Sequence, residues 1–357
     1  MKKTDIETPA LILDIEVLKK NIETMADYLK DKPAKLRPHI KCHKTPVIAH
    51  MQIKAGAKGV MTAKLGEAEV MTDAGIADVV IANQVVQDSK LERLAGLNRY
   101  GKVSVAVDNS EVAERLSNVA LRRGVSVGVV EEIDIGLSRC GVLPGKPAVD
   151  LAKKIANLKG LIFEGITGWE GHVAFIKDFR ERREQCNRCY HKLIECKRQI
   201  LEAGIDVETV GAGGTTTFNL AAEYPGVNEI EAGSYVFMSL THSLEGIPFQ
   251  QALTVLTTVT SKPARDRIIV DGGVKTFCVA EGNPKVKGFE GLEVHELHME
   301  HGILRLSNPN VSLQVGDMIE FVPAYADTAI NLHDKVYITK GDQVETTWGI
   351  QARGRTD

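Results

Sequence analysis

The residues best suited to chemistry lie in one stretch of ten, Arg37-Pro38-His39-Ile40-Lys41-Cys42-His43-Lys44-Thr45-Pro46. Read as a strand, this stretch sends alternate side chains to opposite faces. Arg37, His39, Lys41 and His43 then share one face, and Ile40 and Cys42 the other. Crowded cations lower the proton affinity of a lysine amine, and the neutral amine is the form that attacks a carbonyl to make a Schiff base. A solvated basic edge strand would carry the same residues, so the elements around the stretch must discriminate.

Those elements belong to a chain of 357 residues, long enough for one large domain and a smaller one. A hydrophobic content of 43% with 25% charged residues is that of a soluble globular protein. The net charge of -3 gives no support to a nucleic-acid or membrane-surface partner. The apolar run at residues 10–13 meets Asp14 at once, which is too short for a signal peptide or membrane span, and the expected compartment is the cytoplasm. Six dispersed cysteines do not make a disulfide framework at this size. Cys186, Cys189, His191 and Cys196 imitate a zinc ligand set, but residues 180–201 read as a helix. Within it Cys189, Leu193, Cys196 and Ile200 follow the helical repeat, so the sulfurs are expected on a buried face.

From residue 15 the chain alternates amphipathic helices with short apolar strands. Helices are expected over 17–30, 46–55 and 65–74, the last stopped by Gly75, and strands over 36–42, 58–63, 79–82, 103–107, 125–130, 161–167, 207–210 and 229–232. About eight βα units with strands apolar on both faces point to an α/β fold, a (β/α)8 TIM-like barrel over residues 15–245. An open doubly wound sheet is the competitor, but no G-x-G-x-x-G follows the first strand. After residue 246 the runs 253–261, 266–270, 292–299, 318–322 and 335–339 are β-rich without long helical patterns between them. They predict a C-terminal all-β domain over 246–357, with the N-terminal strand in residues 1–14 packing against it.

In a parallel barrel, functional groups collect where strands end. The second strand ends at Lys41-Cys42-His43, and the strand at 79–82 runs into Asn83-Gln84. The strand at 125–130 leads to Asp134-Ile135-Gly136-Leu137-Ser138-Arg139-Cys140-Gly141, and that at 161–167 to Gly168-Trp169-Glu170-Gly171-His172. The last two strands open into Gly211-Ala212-Gly213-Gly214-Thr215-Thr216-Thr217 and Gly233-Ser234-Tyr235. Glycines let backbone N–H groups approach phosphate oxygens, and the hydroxyls add donors. Two such loops opposite an activated lysine suggest pyridoxal 5'-phosphate, a cofactor that stores the electrons of a carbanion.

Taken in order, these segments resemble a family. Thr8-Pro9-Ala10 with Asp14, Arg37-Pro38-His39 with Lys41 and His43-Lys44, Ala82-Asn83-Gln84-Val85-Val86 and Asp134-x-Gly136-x-x-Arg139-x-Gly141 are the first part of the set. Gly213-Gly214-Thr215, Ala232-Gly233-Ser234-Tyr235-Val236-Phe237-Met238 and Val270-Asp271-Gly272-Gly273 complete it, over residues 5–340. The chain resembles the D-threonine aldolase/D-serine dehydratase family, within the alanine-racemase-like, fold-type III pyridoxal phosphate enzymes. The resemblance implies a barrel plus β domain and a homodimer in which the partner's β domain completes each site. It implies the cofactor imine on Lys41, Arg139 at the cofactor's 3-oxygen and Gln84 beside the ring or imine. Gly213, Gly214, Thr215, Gly233, Ser234 and Tyr235 would then surround the phosphate.

Two positions depart from the family pattern. Trp169 stands where many members have a tyrosine whose hydroxyl meets the pyridine nitrogen; an indole N–H is also an uncharged donor. Tyr325 in Pro323-Ala324-Tyr325-Ala326-Asp327 stands where the family has a metal-binding histidine, leaving Asp327 as the retained ligand for Mg, Mn or Zn. His295, His298 and His301 also invite a metal reading; of these, His301 is placed near the partner's site and the other two are structural.

The leading expectation is a lyase that cleaves a D-3-hydroxy amino acid by retro-aldol reaction. Its base would be water on a metal at Asp327, His43, or Tyr325 with a lowered pKa. A dehydratase acting on D-serine or 3-hydroxyaspartate is the first alternative. The tyrosine exchange also raises an amino-acid racemase or epimerase using Lys41 and Tyr325 on opposite faces of the α-carbon. A non-catalytic pyridoxal phosphate carrier fits less well, because the chain includes a full β domain.

Overall fold

The computed structural model describes residues 1–308 and 310–357. Its elements begin with β1 (Ala10–Asp14) and α1 (Ile15–Leu29), where the Asp14 carboxylate accepts from the Glu16 and Val17 N–H groups and starts the helix. Ile15, Leu18, Ile22, Met25 and Leu29 form the buried face of α1. Next come β2 (Lys35–Leu36), α2 (Pro46–Lys54), β3 (Val60–Thr62), α3 (Leu65–Asp73), β4 (Asp78–Ile81), α4 (Asp88–Leu97) and β5 (Lys102–Val107). The barrel layer continues through α5 (Ser110–Arg123), β6 (Val127–Glu132), α6 (Lys146–Asn157), β7 (Leu161–Thr167), α7 (Phe179–Glu202), β8 (Thr209–Ala212), α8 (Phe218–Glu223) and β9 (Glu229–Ile230).

The eight strands β2 to β9 pair in parallel in the order β2-β9-β8-β7-β6-β5-β4-β3. The ring closes between β2 and β3 through Lys58 N–H to Leu36 C=O at 2.8 Å, Met61 N–H to Pro38 C=O at 2.9 Å, and a His39–Met61 bridge. The expected barrel is therefore present. One local expectation fails: residues 36–42 are not a strand. β2 ends at Leu36, and Ile40–Cys42 form a single 3-10 turn, closed by His43 N–H donating to Ile40 C=O.

The second sheet contains β10 (Leu253–Ala264), β11 (Arg267–Val270), β12 (Lys285–Val286), β13 (Leu292–Leu297), β14 (Gly302–Leu306), β15 (Met318–Val322), β16 (Lys335–Lys340) and β17 (Gln343–Gly349). Two short helices, α9 (Val274–Phe277) and α10 (Ala326–Ala329), interrupt it. β1 lies inside this sheet, antiparallel to β10 and parallel to β16, with Leu11 and Leu13 fully buried. Thr8 Oγ1 donates to Asp271 Oδ2 at 2.6 Å, so the Thr8-Pro9-Ala10 and Val270-Asp271-Gly272-Gly273 segments fasten each other. Residues beyond β17 return to the barrel: Ala352 N–H donates to Lys44 C=O, and Asp357 pairs with Arg93. Cys186, Cys189 and Cys196 are buried on α7 as its periodicity predicts, while His191 is exposed. Among the described residues no helix is long and apolar enough to cross a membrane.

Candidate active site

A cavity of about 300 Å³ opens at the C-terminal ends of the barrel strands. Lys41, Arg139, Trp169, Gly213, Gly214, Thr215, Gly233, Ser234 and Tyr325 all line it. His39, Glu132, Thr167, Glu231 and His242 complete most of its polar wall.

The basic stretch is dispersed by its turn. Lys41 faces the cavity, with Nζ 5.6 Å from the centroid of the Trp169 ring. Arg37 does not share that face. Its guanidinium is 2% exposed and forms ion pairs with Asp78 at 2.7 Å and Glu229 at 3.0 Å. His43 also lies away from the cavity. Its Nε2 and the Gln52 Oε1 are 3.2 Å apart, its Nδ1 accepts from Thr45 N–H, and burial lowers its pKa to about 3. His43 is thus a neutral packing group, not the base expected from the sequence. Lys44 is buried against Glu67, leaving Lys41 as the lysine of the cavity.

Arg139 is placed by its loop. Asp134 Oδ1 accepts from the N–H groups of Gly136 (2.9 Å) and Ser138 (3.0 Å), and Gly141 N–H donates to Asp108 Oδ2 at 3.0 Å. Gly141 has φ +99°, and a Cβ there would stand 2.8 Å from the Asp134 nitrogen, which explains the glycine in this motif. The Arg139 guanidinium carbon lies 5.0 Å from the Trp169 ring centroid. Gln84 does not line the cavity but donates to Glu132 Oε2 at 2.6 Å. Trp169 turns its Nε1 toward the glycine loop, 3.4 Å from where a Cβ on Gly214 would stand.

The glycine loop is built differently from the sequence expectation. The Gly213 and Gly214 N–H groups are each 3.4 Å from the buried Glu170 carboxylate, which also accepts from the Thr217 hydroxyl. Thr215 Oγ1, by contrast, is buried with no partner. Ser234 Oγ donates to Asp327 Oδ1 at 2.8 Å. Tyr235 lies behind the wall, its hydroxyl accepting from Gln52 Nε2 at 2.9 Å and its burial pushing its pKa above the phenol range. It is not a cavity group.

Tyr325 is held against the 3-10 turn Leu240–His242. Leu240 N–H donates to Pro323 C=O and Thr241 N–H to Ala324 C=O, which brings His242 onto the Tyr325 ring at 5.2 Å between centroids and 18° between planes. Burial, then the Asp327 charge, raises the Tyr325 phenol well beyond its ordinary range. A protonated phenol is not the lowered-pKa base that the sequence suggested. His295, His298 and His301 are exposed, and His298 pairs with Glu296 at 3.3 Å.

Residues 13–241 match the family model "Alanine racemase, N-terminal domain", and residues 252–339 match "Putative serine dehydratase domain". Over 353 residues the chain is 34% identical to the D-threonine aldolase of an Arthrobacter species, covering 98% of this chain and 93% of that protein. The chain belongs to the D-threonine aldolase/D-serine dehydratase family. Within the family it is also 33% identical to the 3-hydroxy-D-aspartate aldolase of Paracoccus denitrificans, covering 99% of this chain and 94% of that one. The solved structure of the Filomicrobium marinum D-threonine aldolase superposes with a TM-score of 0.97 at 35% identity, over 100% of this chain and 98% of that one.

Family members are pyridoxal phosphate enzymes, and this cavity fits the group. It offers one lysine amine, an unpartnered Thr215 hydroxyl, and Gly233 packed so closely that a Cβ would stand 2.2 Å from His39 O. The metal of the sequence expectation fits less well. Asp327 Oδ1 is taken by Ser234, and no group of three or more His, Cys, Asp or Glu side chains converges among the described residues.

The sequence reading assigned no role to Glu132, Thr167, Glu170, Glu231 or His242. Glu170 and Glu231 follow strand ends and were within reach of it; Glu231 accepts from Thr167 at 2.6 Å, and burial raises its pKa to about 8. His242 lies in a loop with no motif around it.

Proposed function

We propose that this protein is a pyridoxal phosphate-dependent carbon–carbon lyase that cleaves a D-configured 3-hydroxy amino acid into glycine and an aldehyde. The observation that carries this reading is Lys41 in the cavity at the strand ends, beside Arg139 and the free Thr215 hydroxyl. The end-to-end similarity to two aldolases supports the reaction class. When bound, the cofactor supplies a sink for the electron pair released at the substrate Cα. Lys41 would hold its aldehyde carbon until the substrate amine takes that place. Thr215, Gly233 and Ser234 would embrace the phosphate, Arg139 would face the 3-oxygen, and Gln84 would steady Glu132 at the ring's edge. Trp169 would bound the ring pocket.

Dehydration of D-serine or 3-hydroxyaspartate is the second reading, favoured by one feature: the Tyr325 phenol stays protonated and is an acid suited to a leaving hydroxyl. A racemase needs the same phenol to act as a base in one direction, which its burial opposes. The donor set around Asp327 is too small for a divalent metal within one chain, so no step is routed through one. We also propose that two chains pair and complete each other's sites, with a small amino acid as the other partner; sedimentation giving a dimer mass checks this.

The functional test is a panel of D-threonine, D-serine and 3-hydroxy-D-aspartate given to the holoenzyme with and without EDTA. The expected result is glycine plus the matching aldehyde from at least one substrate, at a rate EDTA leaves unchanged. Ammonia and a keto acid in place of glycine would replace aldol cleavage by dehydration.

A further inference from the structure

Retro-aldol cleavage requires a group that removes the proton of the substrate's 3-hydroxyl. The groups expected to do so are badly placed: His43 lies behind the wall, the Tyr325 phenol is buried beside the Asp327 charge, which opposes its ionisation, and Asp327, with Oδ1 on Ser234 and Oδ2 buried, does not line the cavity. Of the unassigned titratable groups on the wall, Glu132 accepts from Gln84 and Glu231 from Thr167, while His39 and His242 are imidazoles, and His242 is the one stacked on Tyr325. His242 is 4% exposed, lines the cavity, and is clamped between Tyr325 on one side and Phe175 on the other, the latter edge-on at 5.6 Å between centroids.

We propose that His242 is the catalytic base that takes the 3-hydroxyl proton through its Nε2 atom. This inference rests on the lyase reading above. Its Nδ1 is 2.7 Å from Ser239 Oγ, and that hydroxyl is 3.3 Å from Thr241 Oγ1, in a chain of groups that fixes the ring's rotation. With the proton on Nδ1 and donated to Ser239, Nε2 keeps its lone pair, and no side chain or carbonyl among the described residues bonds it. A histidine kept only for packing would have both nitrogens satisfied, as His43 does. The backbone hydrogen bonds from Leu240 and Thr241 to Pro323 and Ala324 hold this loop against the segment carrying Tyr325, so the base is positioned by two elements at once.

The step balances without a further reagent. Nε2 takes the hydroxyl proton while the O–H electron pair becomes the second bond of the aldehyde carbonyl. The Cα–Cβ bond breaks and leaves its pair on Cα, in the sink already described. The proton then passes from Nε2 to Cα, giving glycine and restoring the neutral ring. The charged and titratable groups facing His242 are Asp327, Lys41 and the neutral Tyr325 phenol. Burial and Lys41 lower its pKa while Asp327 opposes them, so the ring is neutral at pH 7.

The test compares wild-type holoenzyme with His242→Gln. Cofactor absorbance and the dissociation constant for the product glycine, read from that absorbance, are expected unchanged. Glycine release is expected to fall about 10²–10⁴-fold, and the acid limb of the wild-type kcat profile, lying below the ordinary imidazole range, is expected to vanish. A full rate in His242→Gln overturns the proposal and leaves the lyase reading standing. Failure of the wild type to release glycine from any member of the panel overturns both. Should His242→Gln not load cofactor, nitrogen NMR of the histidine-labelled wild type decides: the Nδ1–H tautomer at His242 upholds the base, and the Nε2–H tautomer overturns it.

Discussion

Lys41 and Lys44 are three residues apart, and the turn between them gives them unlike surroundings. Lys41 opens to the cavity, while Lys44 is buried against Glu67, whose second oxygen accepts the Ala63 N–H at 2.7 Å. Replacing Lys44 by Met strands a buried carboxylate, so Lys44→Met is expected to lose about 3–5 kcal/mol in a urea titration. It is also expected to keep the cofactor's visible absorbance once folded; loss of that band would contradict the choice of Lys41. Tyr325 offers a second test at this scale. With the phenol protonated and His242 as base, Tyr325→Phe is expected to lower kcat for glycine release by less than about tenfold, whereas loss of the 10²–10⁴ typical of a general base would return that role to the phenol.

The contrast between Arg37 and Lys41 shows which part of this site was legible. The residue types were sufficient to single out the stretch, because few contexts gather so many cations, and its Lys41 lies on the cavity wall. The face assignment failed because alternation presumes an extended backbone, and β2 stops at Leu36. What draws Arg37 away is the pair Asp78 and Glu229, at positions no local pattern connects to it. The sulfur stripe of α7 was legible for the opposite reason, since helix periodicity is a local property. His242 was illegible because its position comes from pairing with the distant residues 323–324.

At the scale of elements, β6 carries Glu132 into the cavity and the preceding Glu131 to the other side, near Cys196 of α7. Both Glu131 oxygens are buried without partners, and burial raises its pKa to about 9. The folded state therefore holds a proton that the unfolded chain releases in the ordinary carboxylate range. Its contribution is complete below about pH 4.5 and is lost progressively as pH rises toward 9. Glu231, raised to about 8, acts in the same direction. Glu131→Gln is expected to flatten, though not abolish, the fall in urea midpoint between pH 5 and roughly 9, and to raise stability at pH 8 by about 1–3 kcal/mol. An unchanged pH slope would show that the carboxyl finds a partner in solution.

At the scale of the whole molecule, the two sheets are tied at both ends of the chain. β1 is an internal strand of the β sheet and leads directly into the first barrel helix, and the residues after β17 return to Lys44 and Arg93. The barrel's one tryptophan is Trp169 and the β sheet's is Trp348, so single-tryptophan chains report each part separately. Both reporters are expected to lose their signal at one denaturant midpoint, and Leu13→Ala, which opens a hole at the buried strand between the parts, to move both by about 2–5 kcal/mol. Two separate midpoints would show that the parts fold independently. The broad architecture was legible because the helix–strand alternation is a local pattern, whereas the register of β1 between β10 and β16 joins residues far apart in the chain that no local pattern connects. The most direct measurement is product analysis of D-3-hydroxy amino acids incubated with wild-type holoenzyme and with Lys41→Ala. Glycine and aldehyde in equal amounts from the wild type, with neither product nor cofactor absorbance from Lys41→Ala, is the predicted result. Equal product from both proteins would contradict it.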